Sequence, residues 1–368
     1  MARFIVVLSC SLLLLLLLLH VNDARADFSE VWESASSAAS SIASYVEELA
    51  DATIHSAKDY YCQHSECCGV EDVPYNLNSL RSMLWTKLYG QHIASEVVLN
   101  AINSHIKSSD KPLVLSFQGT NGVGKSFVSK MIARAFYKKG EKSKFFHFYY
   151  GLENFPIHEK VSEYQVQLKS EVEAAINSCD RSLFVFDGVD YMPPGLLNIL
   201  MPFIDSGNYG GKSNKNKSIF IFMTNRGGLA IQNHLLSKYE DDLDRESTTL
   251  QDFEDIIMTI TLRQSGGFYE SAMIQAEAID YYVPFLPLEK HHVRNCIHDA
   301  YRALNVTPTN DLIEKVFSEL RFGPPPLNIF SNSGCKRVEQ ITGRMVARLQ
   351  FDKESSSLVD TQTSRYEL

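Results

Sequence analysis

Between Leu113 and Ser126 an apolar run of strand length, LVLSF, meets a glycine-rich turn that closes on the pattern G-x-x-x-x-G-K-S at Gly119–Ser126. Phe127, Met131, Ile132 and Ala135 follow at helical spacing. Strand, loop and helix thus come in the order that a phosphate-binding loop requires. Glycines at 119, 122 and 124 let the backbone turn tightly and aim successive N–H groups at an anion. The helix start adds its own unpaired N–H groups and its positive dipole end. On this reading Gly119, Thr120, Asn121, Gly122, Val123, Gly124, Lys125 and Ser126 cradle the phosphates of ATP. Lys125 reaches the β/γ-phosphates and Ser126 ligates Mg²⁺.

Three more apolar runs lie downstream, at Phe145–Tyr150, Leu183–Asp187 and Ser218–Thr224. Apolar runs alternating with helical patterns predict an α/β fold, a parallel sheet covered by helices on both faces. Such a sheet collects the carboxyl ends of its strands on one edge, where ligands bind. Asp187 ends one run, where a carboxylate holds Mg²⁺ through water; Asn225 follows another, where an amide orients an attacking water. After about Ala276 the apolar stripes Val293–Leu304, Leu312–Leu320 and Val338–Leu349 predict a small helical lid domain.

Residues 1–26 read as a signal peptide: Arg3, the apolar run Phe4–Leu19, and an A-x-A site at Ala24–Ala26. An uncleaved anchor is the alternative, because the run is long for a signal core. Residues 27–80 form an N-terminal helical and cysteine-containing segment, 81–275 the large nucleotide-binding domain, 276–350 the lid, and 351–368 a flexible tail. The tail ends in Arg365-Tyr366-Glu367-Leu368, which keeps the Glu-Leu of the lumenal retention signal. Phe28, Trp32, Ala35, Ala39, Ile42, Val46 and Leu49 form an alternating four-and-three seam. It suits a helix packed on its own domain, a partner helix, or a helix on a membrane surface. In an oxidising lumen Cys62, Cys67 and Cys68 suggest a local disulfide, with zinc as the alternative, and Cys179 reads as a buried thiol. His291 and His292, at a helix start, read as solvated. A net charge of −9 provides no basic field for nucleic acid.

Further pieces carry a resemblance. They are ECC at Glu66–Cys68, YGQHIA at Tyr89–Ala94, GKSFVSKMIA at Gly124–Ala133 and SLFVFD at Ser182–Asp187, then IFIFMTN at Ile219–Asn225, VPFLPLE at Val283–Glu289 and SGCK at Ser333–Lys336. With these, the chain from about Tyr61 to Ala347 resembles the torsins, AAA+ ATPases of the endoplasmic reticulum and nuclear-envelope lumen. The resemblance implies an AAA+ fold, ATP with Mg²⁺, and a chaperone-like remodelling role in that lumen and the perinuclear space. It makes Lys336 a sensor-2 contact to the γ-phosphate, and Cys335 a redox-active neighbour paired with Cys296. By chain entropy that cross-link is worth on the order of 4 kcal/mol. It also implies partners: the luminal domain of a lamina-associated-polypeptide-type membrane protein as activator, other torsins as assembly mates, and a peripheral membrane association.

Three departures from the torsin pattern bear on activity. Ser126 stands where torsins carry Asn, which favours Mg²⁺ binding. The Ser/Ala-rich seam replaces a hydrophobic membrane-associating segment. Gly188 replaces the glutamate that serves as general base, and Asp190, three residues beyond Asp187, is expected to point away from the site. Losing a positioned base costs ~10²–10⁴ in rate, and if that group is the only defect, replacing Gly188 by Glu is expected to raise partner-stimulated turnover by at least ~10². Arg226, Arg245 and Arg263 are not expected to act as arginine fingers. Two functions follow from the residues: a partner-activated ATPase, or an ATP-holding module that assembles without hydrolysing.

Overall fold

The structure is a computed structural model that describes residues 65–363 apart from 109–110, 206–216 and 264, with a few positions upstream. It comprises two units, Met1–Glu66 and Cys67–Leu368. The signal peptide, most of the seam and the terminal Arg-Tyr-Glu-Leu lie outside the described residues. Of the seam, Ala39 and Val46 are described, and both are helical and exposed. Among the described residues no helix is long and apolar enough to cross a membrane.

Five strands build the sheet of the second unit: β1 (Leu113–Gln118), β2 (Phe146–Tyr150), β3 (Leu183–Asp187), β4 (Ile219–Thr224) and β5 (Tyr281–Pro284). They run in the order β2-β3-β4-β1-β5, all parallel. Every residue of β1 and β4 is buried, which is why these strands read as unbroken apolar runs instead of alternating ones. Leu113 and Leu183 both pair with Ile219, so the three central strands start level and finish level. Their carboxyl ends therefore present Gln118, Asp187 and Thr224 along one edge.

The period of two divides the core between the faces. Leu115, Leu183, Val185 and Ile221 point into one cluster, covered by α1 (Leu77–Lys87), α2 (His92–Ser108) and α3 (Lys125–Phe136). Phe184, Phe186, Phe220 and Phe222 point into the other, covered by α4 (Val161–Ser178), α5 (Gly228–Glu240) and α6 (Gln251–Leu262). Aromatic rings stack across the strands on that second face, with 4.8 Å between Phe184 and Phe220 and 5.1 Å between Phe186 and Phe222. Tyr149 joins the row at 5.0 Å from Phe186 and donates to Glu171. It is a wall residue, not a free loop aromatic.

The lid stripes become α7 (Lys290–Ala303), α8 (Asn310–Ser318) and α9 (Val338–Thr363). Two boundaries differ from the sequence expectation. β5 pairs with β1, so the sheet domain continues through Pro284 instead of ending at residue 275. α9 runs on to Thr363, so the tail expected to be flexible is helical over most of its length. Extending an established helix costs little, whereas starting one is expensive.

The cysteines also correct the reading. Cys68 is bonded to Cys179, 111 residues away, so Cys179 is not a free thiol and Cys68 takes no part in a local bond. Their Cα atoms lie 5.2 Å apart, within disulfide reach. Cys179 caps the end of α4, so the bond fixes the segment before α1 to the start of β3. Cys62 and Cys67 are disulfide-bonded as well.

Candidate nucleotide-binding site

The level carboxyl edge of the sheet opens into a cleft of about 1030 Å³ between the sheet domain and the lid. Asn121–Ser126, Asp187 and Asn225 line one wall, and Cys296, Asp299, Cys335 and Lys336 the other. The residues expected to carry the chemistry are therefore brought together. Gly119 and Thr120 are the exceptions. They sit behind the wall and act through their carbonyls.

Lys125 opens α3 and is buried. Its ammonium donates to Gly119 O at 2.7 Å, Thr120 O at 2.8 Å and Asn225 Oδ1 at 2.8 Å, which uses all three protons. Burial pulls this group down to about 8, against the opposing pull of Asp187 and Asp190. An anion in the cleft holds the proton on, so affinity for a polyphosphate should fall as pH rises through about 8. Calorimetry at pH 7 and pH 9 should record a loss approaching tenfold per unit above 8. A flat profile would mean that Lys125 stays charged throughout.

Ser126 Oγ donates to Asp187 Oδ2 at 2.7 Å, so the hydroxyl and carboxylate proposed for Mg²⁺ already face each other. Lys336 reaches the cleft because the lid backbone lies directly on the loop. Cys335 N–H donates to Gly122 O at 3.0 Å. A Cβ at Gly122 would sit 2.0 Å from Ser333 O, and one at Gly334 would sit 2.2 Å from Gly122 O. Only glycines allow the two segments to cross. Cys335 is bonded to Cys296 of α7, the pairing that the resemblance implied.

Two buried side chains that the sequence reading had not assigned hold this edge together. Gln91 donates to Val123 O at 3.0 Å and Leu286 O at 2.7 Å, and accepts from Leu286 N–H at 2.8 Å. It ties the loop to the segment after β5. Arg245 donates to Gly90 O at 3.1 Å, Pro287 O at 2.7 Å and Glu289 Oε1 at 3.3 Å. With its side chain only 2% exposed it is a structural cation, not a finger for a neighbouring site. Gln91 lies inside the YGQHIA motif, which flagged it; Arg245 was weighed only as a finger, and nothing in the sequence marked it as a structural cation.

His292 corrects another expectation, for it is buried. Its ring lies against Gly90, and its Nδ1 accepts from the Glu289 N–H at 3.2 Å in a reciprocal helix cap. Burial, with Arg245 close by, pushes it down to about 3. His291 is exposed, as expected.

At the missing base the backbone decides more than composition did. Gly188 has φ 76°, in the left-handed region, and a Cβ there would lie 3.0 Å from the Tyr191 ring. A left-handed conformation costs a side-chain-bearing residue ~1–2 kcal/mol. The missing group is thus not the only obstacle to Gly188→Glu, because the glutamate would first have to move the turn. Asp190 does not line the cleft, and its Oδ1 is buried without a hydrogen bond.

Comparison with known proteins agrees with this architecture. The torsin family model matches residues 62–186, and the model of the torsin-1A C-terminal domain matches residues 288–342. A torsin-like protein of Drosophila melanogaster is 37% identical over 291 residues, 76% of this chain and 84% of that protein. One of Caenorhabditis elegans is 35% identical over 294 residues, 78% of this chain and 83% of that protein. Among solved structures, a Saccharomyces cerevisiae Hsp104–ADP complex matches with a TM-score of 0.52 at 14% identity, over 78% of this chain. A closed-state reconstruction of Hsp104 with ATPγS and FITC-casein matches with a TM-score of 0.51 at 15% identity, over 77% of it. The chain spans about half the length of those Hsp104 chains, 48% in each case, so they speak for the fold, which is the α/β AAA+ fold. With relatives above 30% identical over most of both lengths, this chain belongs to the torsin family.

Proposed function

We propose that this torsin binds ATP·Mg²⁺ in the cleft and works as a chaperone-like remodeller of protein or membrane complexes in the lumen of the endoplasmic reticulum and perinuclear space. The observation that carries the reading is the state of Lys125. Its ammonium is held by two loop carbonyls and Asn225, groups that a triphosphate would replace with stronger, charged acceptors. The donor set fits the cofactor: Ser126 Oγ and Asp187 Oδ2 are hard oxygens 2.7 Å apart, of the kind Mg²⁺ takes alongside phosphate and water. Held by Ser126 and Asp187, Mg²⁺ would supply Lewis-acid charge to the phosphates. Lys125 would pair with the phosphate oxygens, Asn225 would be free to orient a water, and Lys336, which lines the cleft from the lid, would contact the γ-phosphate. Titrating the purified protein with ATP·Mg²⁺ in a calorimeter tests the reading; no heat of binding at millimolar nucleotide would overturn it.

Gly188 supports a particular form of this function, in which ATP is held longer than it is hydrolysed. An ATP-bound torsin then acts by assembly, with the luminal domain of a lamina-associated-polypeptide-type membrane protein or with other torsins as partner.

The Cys296–Cys335 bond adds a redox dependence. Cys335 donates its N–H to Gly122 O, so the cystine braces a backbone contact to the phosphate loop itself. Opening it should weaken ATP binding about 5- to 30-fold, the worth of ~1–2 kcal/mol of lost pre-organisation. The comparison is between oxidised protein and protein treated with a phosphine reductant. A Cys296→Ser/Cys335→Ser double variant separates this bond from Cys68–Cys179. Identical affinities in all three would remove the coupling.

A further inference from the structure

Two sets of contacts join the lid to the sheet domain across the cleft. At the phosphate end the lid meets the loop by backbone: Cys335 N–H on Gly122 O, the glycine crossing, and the cystine behind them. α7 presents Cys296, Asp299, Ala300 and Ala303 to the cavity, an i, i+3, i+4, i+7 face, and Asp299 lies one turn beyond the cystine. At Asp299 the contacts seen are between side chains. Tyr89, in the turn after α1, donates its hydroxyl to Asp299 Oδ2 at 2.6 Å. Lys87, the last residue of α1, lies 3.5 Å from Asp299 Oδ1. Arg302, one turn along α7, holds that same oxygen at 2.5 Å and leaves Oδ2 to Tyr89.

These contacts are unequal. The Lys87 and Arg302 side chains are 47% and 71% exposed, so water screens their pairing. The Tyr89 hydroxyl makes a charge-assisted bond, the stronger kind. Burial and the neighbouring carboxylate push the phenol up to about 12, so it keeps its proton across the working range. We propose that the Tyr89–Asp299 bond is a clasp between sheet domain and lid that sets how fast a bound nucleotide leaves. A nucleotide lying between the two walls exits only when they part. The lid is held at Gly122 by a backbone hydrogen bond braced by a cystine and at Asp299 by side chains alone, so on this proposal opening begins at the clasp. Asp299 is thus a positioning residue: it acts through Tyr89 and through lid closure. This inference rests on nucleotide binding in the cleft.

Stopped-flow displacement of a fluorescent N-methylanthraniloyl-ATP from wild type, Tyr89→Phe, Asp299→Ala and the double variant tests it. Each single change should raise the release rate about tenfold and leave the association rate within about twofold, as for loss of one charge-assisted hydrogen bond. The double variant should be no faster than the singles, because one bond is lost in all three. Release rates equal to wild type in both singles would overturn the clasp. Hydrogen exchange of the α7 amides in nucleotide-free protein gives a second readout that needs no ligand. Tyr89→Phe should speed exchange along Lys290–Ala303, and unchanged exchange would also overturn the clasp. Failure of wild type to bind the probe would instead sink the nucleotide-binding reading, with the exchange result still deciding whether lid and sheet domain are clasped.

Discussion

Lys125→Ala should weaken ATP·Mg²⁺ binding by at least ~10²–10³-fold while the protein still folds. Hydrogen bonds to charged groups are worth about 1.5–3 kcal/mol each, and the ammonium would make at least two with the β/γ-oxygens. Folding is spared for a reason visible in the structure. Lys125 is a buried cation whose ammonium rests on Gly119 O, Thr120 O and Asn225 Oδ1. Removing it strands those acceptors but also relieves the cost of burying a charge, and the two effects oppose each other. Calorimetry gives the affinity and a thermal melt gives the fold. Wild-type affinity in the variant would mean that the cleft is not a triphosphate site.

The second large effect is on the chemical step. Bound ATP should persist, with hydrolysis slower by ~10²–10⁴ than in an enzyme with a positioned base. Gly188 has no side chain to take the proton, and Asp190 does not line the cleft. Single-turnover measurement with protein in excess over radiolabelled ATP, with and without a luminal activator, should give rates of about 10⁻³–10⁻¹ s⁻¹, an ordinary ~10 s⁻¹ slowed by that factor. Phosphate release at ordinary enzyme rates, about 1–10³ s⁻¹, would show that another residue serves as base and that the ATP-holding reading is wrong. Gly188→Glu should gain less than the full ~10² unless the turn relaxes. The left-handed backbone and the Tyr191 ring, 3.0 Å from the new Cβ, resist the substitution.

Much of the site was legible because it is written locally. The loop Gly119–Ser126 lies between a strand and a helix that are each visible as a pattern within a dozen residues. Asp187 and Asn225 were legible for the same reason, each closing an apolar run. β5 was not: its four residues are too short for a periodic signal, and only pairing with β1 makes them a strand. His292 was misread because exposure at a helix start depends on what packs above it, here Gly90, some two hundred residues earlier.

The sequence by itself determined the strand–loop–helix unit, the alternation that makes a doubly covered parallel sheet, and the absence of a carboxylate at 188. These are matters of local backbone preference and residue identity, which short windows carry in full. Tertiary structure alone decided the contacts that bridge distant stretches. The Cys68–Cys179 bond spans 111 residues, Arg245 to Gly90 spans 155, Gln91 to Leu286 spans 195 and Tyr89 to Asp299 spans 210. No periodicity reports such pairings, because each depends on where the whole sheet places two chain segments. The backbone at Gly188 belongs with them. Its identity is local, but the left-handed turn that resists a glutamate is held by Gly188 N–H on Met223 O and Tyr191 N–H on Gly188 O.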